Sequence, residues 1–219
     1  MYQTLYQGKD NIYYNHSRPE MLKFIPDGVK DVLDIGCSAG NFGQFLKENL
    51  KVTVWGLEPD EASAKKAREK LDFVITGSFD SDTAQSVNRK FDVIFFNDVL
   101  EHLTEPDQAL LNCRELLNPG GVIIASIPNV RYYTVLNELI FEQDFKYQSS
   151  GIMDKTHLRF FTRKSMIRLF NDAGLEIKTI EGINREKIAG RKIKLLRFIL
   201  SGYFSDIDVL QYAIVASFQ

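Results

Sequence analysis

The chain has few cysteines: Cys37 and Cys113 are the only two in 219 residues. Two thiols make no disulfide framework, so we expect reduced cysteines and a cytoplasmic location. The chain also lacks an apolar run long enough to span a bilayer, and its polar first residues do not resemble a signal peptide. The net charge of −2 provides no overall attraction to nucleic acid, so we expect no nucleic-acid partner. The length of the chain and its 44% hydrophobic content are enough to bury one core, so we predict a single domain over residues 1–219.

Apolar runs alternate with amphipathic segments along the chain, which favours an α/β fold with a doubly wound, mostly parallel sheet. We predict strands over residues 32–35, 52–57, 73–75, 93–96, 122–126, 176–180 and 212–218. We predict helices over residues 41–49, 60–71, 80–88, 106–117 and 163–173. Several helix ends carry their own signals, with Asp60 and Thr162 as N-caps, Pro106 in a first turn, and the sequence NPGG at 118–121 as a helix end.

The most informative segment joins the first predicted strand to the first predicted helix. Residues 32–40 read VLDIGCSAG, a strand followed by a tight glycine turn, and glycines let the backbone approach a ligand closely. The next predicted strand ends in Glu58, whose carboxylate can accept hydrogen bonds from a ribose diol. Gly-rich turns between a strand and a helix can also have a purely structural role, but the presence of Glu58 favours a nucleoside-binding site.

Two residues distinguish this turn from a dinucleotide-binding turn. The dinucleotide fingerprint G-x-G-x-x-G needs its middle glycine for the close approach of a pyrophosphate, and this chain has Ser38 there. Asp34, at the end of the strand, would repel a diphosphate but suits a ligand's ammonium group. The sequence therefore favours a nucleoside cofactor that carries an ammonium group over a dinucleotide.

Together with FDVIFFNDVLEH at residues 91–102 and LNPGG at residues 117–121, this turn resembles the class I S-adenosylmethionine (SAM)-dependent methyltransferases. The resemblance extends from about residue 31 to the C-terminus. It implies SAM as cofactor, methyl transfer as the reaction, and a seven-stranded Rossmann-like sheet whose last strand is antiparallel. It also implies an N-terminal cap over residues 1–30, in which the segment 13–18 either folds over the cofactor or packs on the sheet.

The resemblance also implies roles for residues at the ends of the first four strands. Asp34 lies near the methionine ammonium, Glu58 holds the ribose, and Asn97 and Asp98 lie at the methionine end. Adenine is expected at Asp80 or at the backbone before it. The full set of expected cofactor contacts is Asp34, Gly36, Cys37, Gly40, Glu58, Pro59, Ser78, Phe79, Asp80, Asn97 and Asp98.

His102 and His157 are the candidate catalytic residues. Each follows a predicted strand, and open α/β sheets bind their ligands at the carboxyl ends of the strands. Methyl transfer needs the acceptor in line with the sulfonium carbon, and a hydroxyl acceptor of low acidity also needs a base. An imidazole can serve as that base near neutral pH.

An alternative is a divalent metal site formed by Asp98, Glu101, His102 and His157. This set resembles the metal-dependent O-methyltransferases of ubiquinone biosynthesis and of small-RNA 3′ ends, and an ion would make a substrate hydroxyl more acidic. Asp98 departs from the Glu usual in that pattern. Many metal-free methyltransferases also carry a Leu-Glu-His stretch, so we expect a site without metal.

The acceptor must be inferred from the more variable segments. Residues 130–160 form a predicted substrate lid rich in Tyr and Phe, and residues 183–205 form a predicted basic amphipathic helix. That helix suits an anionic substrate, a partner, or peripheral contact with a membrane. Residues 151–162 resemble methyltransferases of bacterial surface-polysaccharide and glycan biosynthesis, which implies a small-molecule substrate such as a sugar hydroxyl or a lipid-linked glycan. A quinone-like phenolic acceptor and a cofactor-binding module without turnover are the alternatives, and the oligomeric state stays open.

Overall fold

The computed structural model describes residues 17–219, so most of the predicted cap segment 13–18 lies outside the described residues. Seven strands form one sheet in the order β3-β2-β1-β4-β5-β7-β6. All neighbouring strands are parallel except β7, which is antiparallel to both β5 and β6. The strands are β1 (Asp31–Ile35), β2 (Thr53–Glu58), β3 (Phe73–Thr76), β4 (Phe91–Asn97), β5 (Leu117–Pro128), β6 (Leu175–Arg185) and β7 (Val209–Phe218). The predicted doubly wound α/β sheet with an antiparallel last strand is confirmed.

Helices connect these strands and cover the sheet. They are α1 (Asn41–Leu50), α2 (Glu61–Ala67), α3 (Ser81–Ser86), α4 (Pro106–Asn112), α5 (Tyr133–Asn137), α6 (Arg163–Asp172) and α7 (Arg191–Ile199). Short 3₁₀ helices occur at Pro19–Phe24, Leu100–His102 and Cys113–Leu116, and α5 continues as a π turn, Glu138–Glu142. Two of the predicted caps form as expected, because Asp60 accepts the Ser63 N–H and Thr162 accepts the Ser165 N–H.

Strand β4 shows why the sheet is buried on both faces. Ile94 and Phe96 belong to one apolar cluster, and their neighbours Val93 and Phe95 belong to the cluster on the opposite face. Successive side chains of a strand point to opposite faces, so both faces of β4 are covered by apolar groups. Because β1 is parallel to its neighbours β2 and β4, the carboxyl ends of these three strands meet at one edge of this buried sheet.

Two segments differ most from their predicted boundaries. The segment NPGG at 118–121 lies inside β5 instead of ending a helix, because Leu117 already pairs with Phe91 and the register shifts between Phe91 and Val93. The predicted helix over 183–205 is only α7, Arg191–Ile199. Its first residues belong to β6, where the buried Ile183 pairs with Gln211. Across residues 17–219, no helix has the length and apolarity that a membrane span requires.

Residues 130–160, the predicted lid, lie between β5 and α6 and form a small core of their own. Tyr132, Val135, Ile152 and Met153 are buried against one another. Tyr133 is shared between this core and a second cluster that includes the inner side of α7. The lid and α7 therefore pack together, beside the carboxyl edge of the sheet.

Candidate active site

The turn after β1 requires glycine at residue 36. Gly36 has a φ of 72°, in the left-handed region that L side chains rarely adopt. A Cβ at this position would lie 2.6 Å from Val99 Cγ2, which is too close for any side chain. The Gly36 N–H donates to the Leu57 carbonyl at 2.8 Å, so the turn is tied to the end of β2.

Glu58, the last residue of β2, bridges two turns. Its Oε2 accepts the Ser38 N–H at 2.8 Å and its Oε1 accepts the Asp60 N–H at 2.9 Å. Burial raises the pKa of Glu58, and the two N–H donors lower it in part. Each carboxylate oxygen has a second lone pair, so Glu58 can still accept hydrogen bonds from two ribose hydroxyls.

A cavity of about 490 Å³ opens at the carboxyl edge of the sheet, next to the glycine turn. It brings together five of the predicted cofactor residues, namely Asp34, Gly36, Cys37, Asn97 and Asp98. Glu58 and Gly40 are not part of the lining but bond to residues that are. Glu58 accepts the Ser38 N–H, and the Gly40 N–H donates to the Cys37 carbonyl. The lining does not include Pro59, Ser78, Phe79 or Asp80. The Asp80 carboxylate accepts the Thr83 N–H at 2.8 Å and so caps α3.

Asp34 is the most perturbed acid of the cavity. It is 2% exposed, and burial raises its pKa to about 7. Nearby Arg18 opposes this shift and Glu58 adds to it. A buried carboxyl group in this position gains most from a cationic ligand, because a nearby positive charge stabilises its ionised form.

A polar network that the sequence analysis missed forms one wall of the cavity. Arg18 pairs with the Asp98 carboxylate and donates to Ser126 Oγ at 3.0 Å. Gln211 Nε2 donates to Asp98 Oδ1 at 2.6 Å, and Asn184 Nδ2 donates to Gln211 Oε1 at 2.8 Å. Gln211 could have been noticed as a polar residue within the otherwise apolar β7. Nothing in the local sequence marks Asn184.

Asp98, Asn184 and Arg18 share an unusual backbone. Their φ angles are 53°, 52° and 46°, in the left-handed region. Such conformations cost energy in non-glycine residues and persist only where the surroundings hold them. All three residues belong to the same hydrogen-bonded network, which supplies contacts that hold these backbones.

The two candidate catalytic histidines lie in contact. The rings of His102 and His157 have centroids 4.6 Å apart and an interplanar angle of 77°. Their meeting follows from a backbone clamp, in which the N–H groups of Leu158 and Arg159 donate to the Glu101 carbonyl at 2.8 and 3.1 Å. The clamp holds the segment before α6 against the 3₁₀ turn after β4. Both histidines are buried, and neither belongs to the lining of the cofactor cavity.

Hydrogen bonds assign the same tautomer to both rings. His157 Nδ1 lies 2.9 Å from the Ile152 carbonyl, which can only accept. His102 Nδ1 lies 3.1 Å from the Thr156 carbonyl, and the Thr156 hydroxyl donates its own proton to Asp154. In each neutral ring Nδ1 therefore carries the proton and Nε2 carries the lone pair.

Glu101 completes a cluster with the two histidines. It is 1% exposed, and its Oε1 lies 4.0 Å from His157 Nε2. One ligand atom from each of Glu101, His102 and His157 lies within 4.8 Å of the others. Asp98, the fourth residue of the predicted metal set, is directed toward Arg18 and Gln211 instead.

The sequence of the chain matches the model of a known protein family. The model of a methyltransferase domain matches residues 8–180 of the chain. The chain belongs to this methyltransferase family. It is a class I SAM-dependent methyltransferase, and SAM is its methyl donor.

Relatives of this methyltransferase agree with that assignment. It is 26% identical over 166 residues to a ubiquinone biosynthesis O-methyltransferase of Thiobacillus denitrificans, covering 72% of this chain and 69% of the relative. It is 29% identical over 161 residues to the enzyme of that name from Pseudomonas paraeruginosa, covering 70% of this chain and 68% of the relative. A SAM-dependent methyltransferase from Archaeoglobus fulgidus shares the fold, with a TM-score of 0.66, 21% identity and 90% coverage of both chains.

Proposed function

We propose that this methyltransferase transfers the SAM methyl group to a hydroxyl of a small molecule, with a sugar hydroxyl as the leading acceptor. The observation that carries the proposal is the pair of buried imidazoles, His102 and His157, whose Nε2 atoms bear lone pairs at the carboxyl edge of the sheet. A methyl acceptor of low acidity must lose a proton as the oxygen–carbon bond forms, and an imidazole Nε2 can accept it.

The proposed reaction balances without any further reagent. The acceptor oxygen attacks the methyl carbon, the carbon–sulfur bond breaks toward sulfur, and the products are a methyl ether, S-adenosylhomocysteine and a proton. In this proposal Glu58 binds the ribose, Asp34 binds the methionine ammonium, and the wall formed by Asn97 and Asp98 positions the methyl group. His157, with His102 beside it, takes the proton at Nε2.

The lid supports a ring-shaped acceptor. Tyr132, Tyr133, Phe145, Tyr147 and Phe160 make ring-to-ring contacts within and beside it. His157 joins this group through Phe160, with ring centroids 6.2 Å apart. Aromatic faces pack well against the apolar face of a sugar and against a phenolic ring, so they suit either acceptor.

The proposal further places the acceptor on a lipid carrier, with the segment 183–205 in peripheral contact with a membrane. Its six basic residues and single acidic residue support contact with an anionic surface. We also propose a cytoplasmic location. Both cysteines are free thiols in the structure, which agrees with a reducing compartment.

A metal-assisted reaction on a quinone-like phenol is the second candidate, and the cluster of Glu101, His102 and His157 favours it. Nitrogen and carboxylate ligands together fit Mg²⁺, Mn²⁺ or Zn²⁺, and the backbone carbonyls of Ile152 and Thr156 orient the rings through Nδ1, as is usual for metal-bound histidines. A bound ion would lower the pKa of the acceptor hydroxyl. The names of the relatives from ubiquinone biosynthesis agree with this acceptor class.

The decisive experiment incubates the purified chain with SAM and separate sugar-nucleotide, lipid-linked glycan and catechol-type acceptors, and measures S-adenosylhomocysteine. We expect product with a sugar acceptor and none with the His102→Ala, His157→Ala double variant. Turnover of a catechol alone would favour the second candidate. SAM binding without turnover on any acceptor would favour a binding module.

A further inference from the structure

Helix α7 exposes a stripe of large apolar side chains. Phe198 is 83% exposed, Ile199 64% and Leu195 59%, and Tyr203 in the following turn is 77% exposed. Positions 195, 198 and 199 are three and four residues apart, so their side chains lie on one face of the helix. An exposed apolar patch of this kind on a folded domain marks an interaction surface.

The opposite face of α7 already has its partner. Ile193 is fully buried, and Leu196 beside it packs into a cluster with Tyr133, Leu136 and Phe141 of the lid region. A helix that is apolar on two faces needs cover on both. Within residues 17–219 only the inner face receives it, so the outer face is free for a second contact.

The charges around the outer stripe identify that contact. Between residues 183 and 205 there are six basic residues and one acidic residue, although the chain as a whole has a net charge of −2. Lys192 and Lys194 are exposed and occupy the two sides of the stripe, and Arg191 lies at its N-terminal end. The Lys192 ammonium lies 5.6 Å from the centroid of the Phe141 ring, at the border between the outer and inner faces. Beside the helix, Arg185 and Arg197 pair with the Asp208 carboxylate. These three residues line a cavity of about 920 Å³ that also includes Lys187, Lys194 and one further acid, Glu186, so the cations of the cavity outnumber its carboxylates by four to two.

We infer that α7 docks on a bilayer that contains anionic phospholipids. Leu195, Phe198 and Ile199 enter the boundary between headgroups and acyl chains, and Lys192 and Lys194 extend to the lipid phosphates on either side. An apolar stripe flanked by lysines is the pattern of helices that lie in the membrane interface. A bilayer with anionic headgroups above its acyl chains satisfies the apolar stripe and the flanking cations together.

This inference deepens the proposed function and rests on it for the nature of the acceptor. The inner face of α7 contacts Tyr133 and Phe141, so docking of the outer face holds this part of the lid about 10 Å from the bilayer, one helix diameter away. The cofactor cavity adjoins the basic cavity, because Asn184 lines the first and the next residue, Arg185, lines the second. Docking of α7 would therefore hold the site close to the headgroup of an acceptor on a lipid carrier.

The test is co-sedimentation of the full chain with vesicles, made either of phosphatidylcholine alone or with roughly one-third phosphatidylglycerol. We expect binding to the anionic vesicles and little to the neutral ones. Lys192→Glu with Lys194→Glu should weaken binding about tenfold or more, as should Leu195→Ser with Phe198→Ser. These side chains are exposed, so the variants should keep the wild-type thermal midpoint. Lys65→Glu with Lys66→Glu on α2, and Leu50→Ser on α1, are the matched controls and should bind as the wild type does.

Three results would overturn the inference. The first is equal binding by the α7 variants and their controls, and the second is no binding of the wild type to anionic vesicles. The third is a dimer in analytical ultracentrifugation that Phe198→Ser dissociates in a protein without vesicle affinity, since a second copy would then cover the stripe. Vesicle binding requires neither SAM nor acceptor, and methyl transfer to a soluble acceptor requires no membrane. Failure of the inference and failure of the proposed function are therefore measured separately.

Discussion

His157 Nε2 and Glu101 Oε1 lie 4.0 Å apart, both in side chains that are almost fully buried. At this distance the carboxylate stabilises positive charge on the imidazole, so a proton taken up at Nε2 gains a nearby counter-charge. The same geometry suits a cation between the two groups. Base and metal-ligand roles for His157 lead to different experimental results, and the first two predictions separate them.

His157→Ala should lower kcat by about 10² to 10⁴ and leave SAM affinity unchanged, because the residue lies outside the cofactor cavity and the lost step is proton removal. Steady-state kinetics with the native acceptor and calorimetry with S-adenosylhomocysteine measure the two quantities. His157→Gln is the second variant, because glutamine fills much of the space of the imidazole but cannot act as a base. Full turnover in either variant would restrict His157 to a structural role.

Chelation distinguishes the two chemistries. If the histidines act as bases, EDTA should not change kcat. If Glu101, His102 and His157 hold an ion, EDTA should abolish turnover but not SAM binding, and Mg²⁺, Mn²⁺ or Zn²⁺ should restore it. We expect the first outcome. Elemental analysis showing a stoichiometric metal in the active protein would contradict it.

Glu58→Ala should weaken SAM binding by about 1.5 to 3 kcal/mol, the usual value for a lost charge-assisted hydrogen bond. Calorimetry measures the change directly. Glu61→Ala, three residues further on in an exposed position of α2, is the control and should bind normally. Because Glu58 also holds the N–H groups of Ser38 and Asp60, Glu58→Gln should lose less affinity than Glu58→Ala. Unchanged affinity in the alanine variant would remove Glu58 from the proposed site.

The raised pKa of Asp34, about 7, predicts that SAM affinity depends on pH. If the ionised carboxylate pairs with the methionine ammonium, affinity should rise by up to about tenfold per pH unit below pH 7 and level off above it. Calorimetry at several pH values tests this. Asp34→Asn should bind weakly with no such step, which separates the titration of Asp34 from that of the ligand. A step of the same size in the Asn variant would assign the titration elsewhere.

Asp34→Asn should also stabilise the unliganded protein at alkaline pH. The folded-state pKa lies above the ordinary value of 3.8, so the folded state holds the proton more tightly than the unfolded state. Stability from this group is therefore present at low pH and lost as the pH rises toward 7. Above that pH the buried carboxylate costs about 2 to 4 kcal/mol, which the Asn variant avoids. Urea unfolding at pH 5 and pH 8 without cofactor should show a clearly larger gain at pH 8, because the loss accumulates between the unfolded pKa of 3.8 and the folded pKa of about 7.

The parts of the site that were predictable are those set by local sequence. The glycine turn, the acid at the end of β2 and the caps at Asp60 and Thr162 depend on neighbours within a few residues. The pairing of Arg18 with Asp98 and the bond from Gln211 to Asp98 depend on strand order, which no local pattern encodes. The predicted helix over 183–205 was too long for the same reason.

The position of β7 between β5 and β6 has a consequence for synthesis of the chain. β7 follows β6 in the sequence, so β6 emerges from the ribosome with no strand to pair with, and the edge of β5 stays open. Unpaired strand edges on a nascent chain are sites of aggregation. Leu210 and Gln211, which line the cofactor cavity, arrive only with β7. Tight binding of SAM should therefore begin only after β7 has inserted, late in folding. A chain truncated before β7 should aggregate and should not retain SAM.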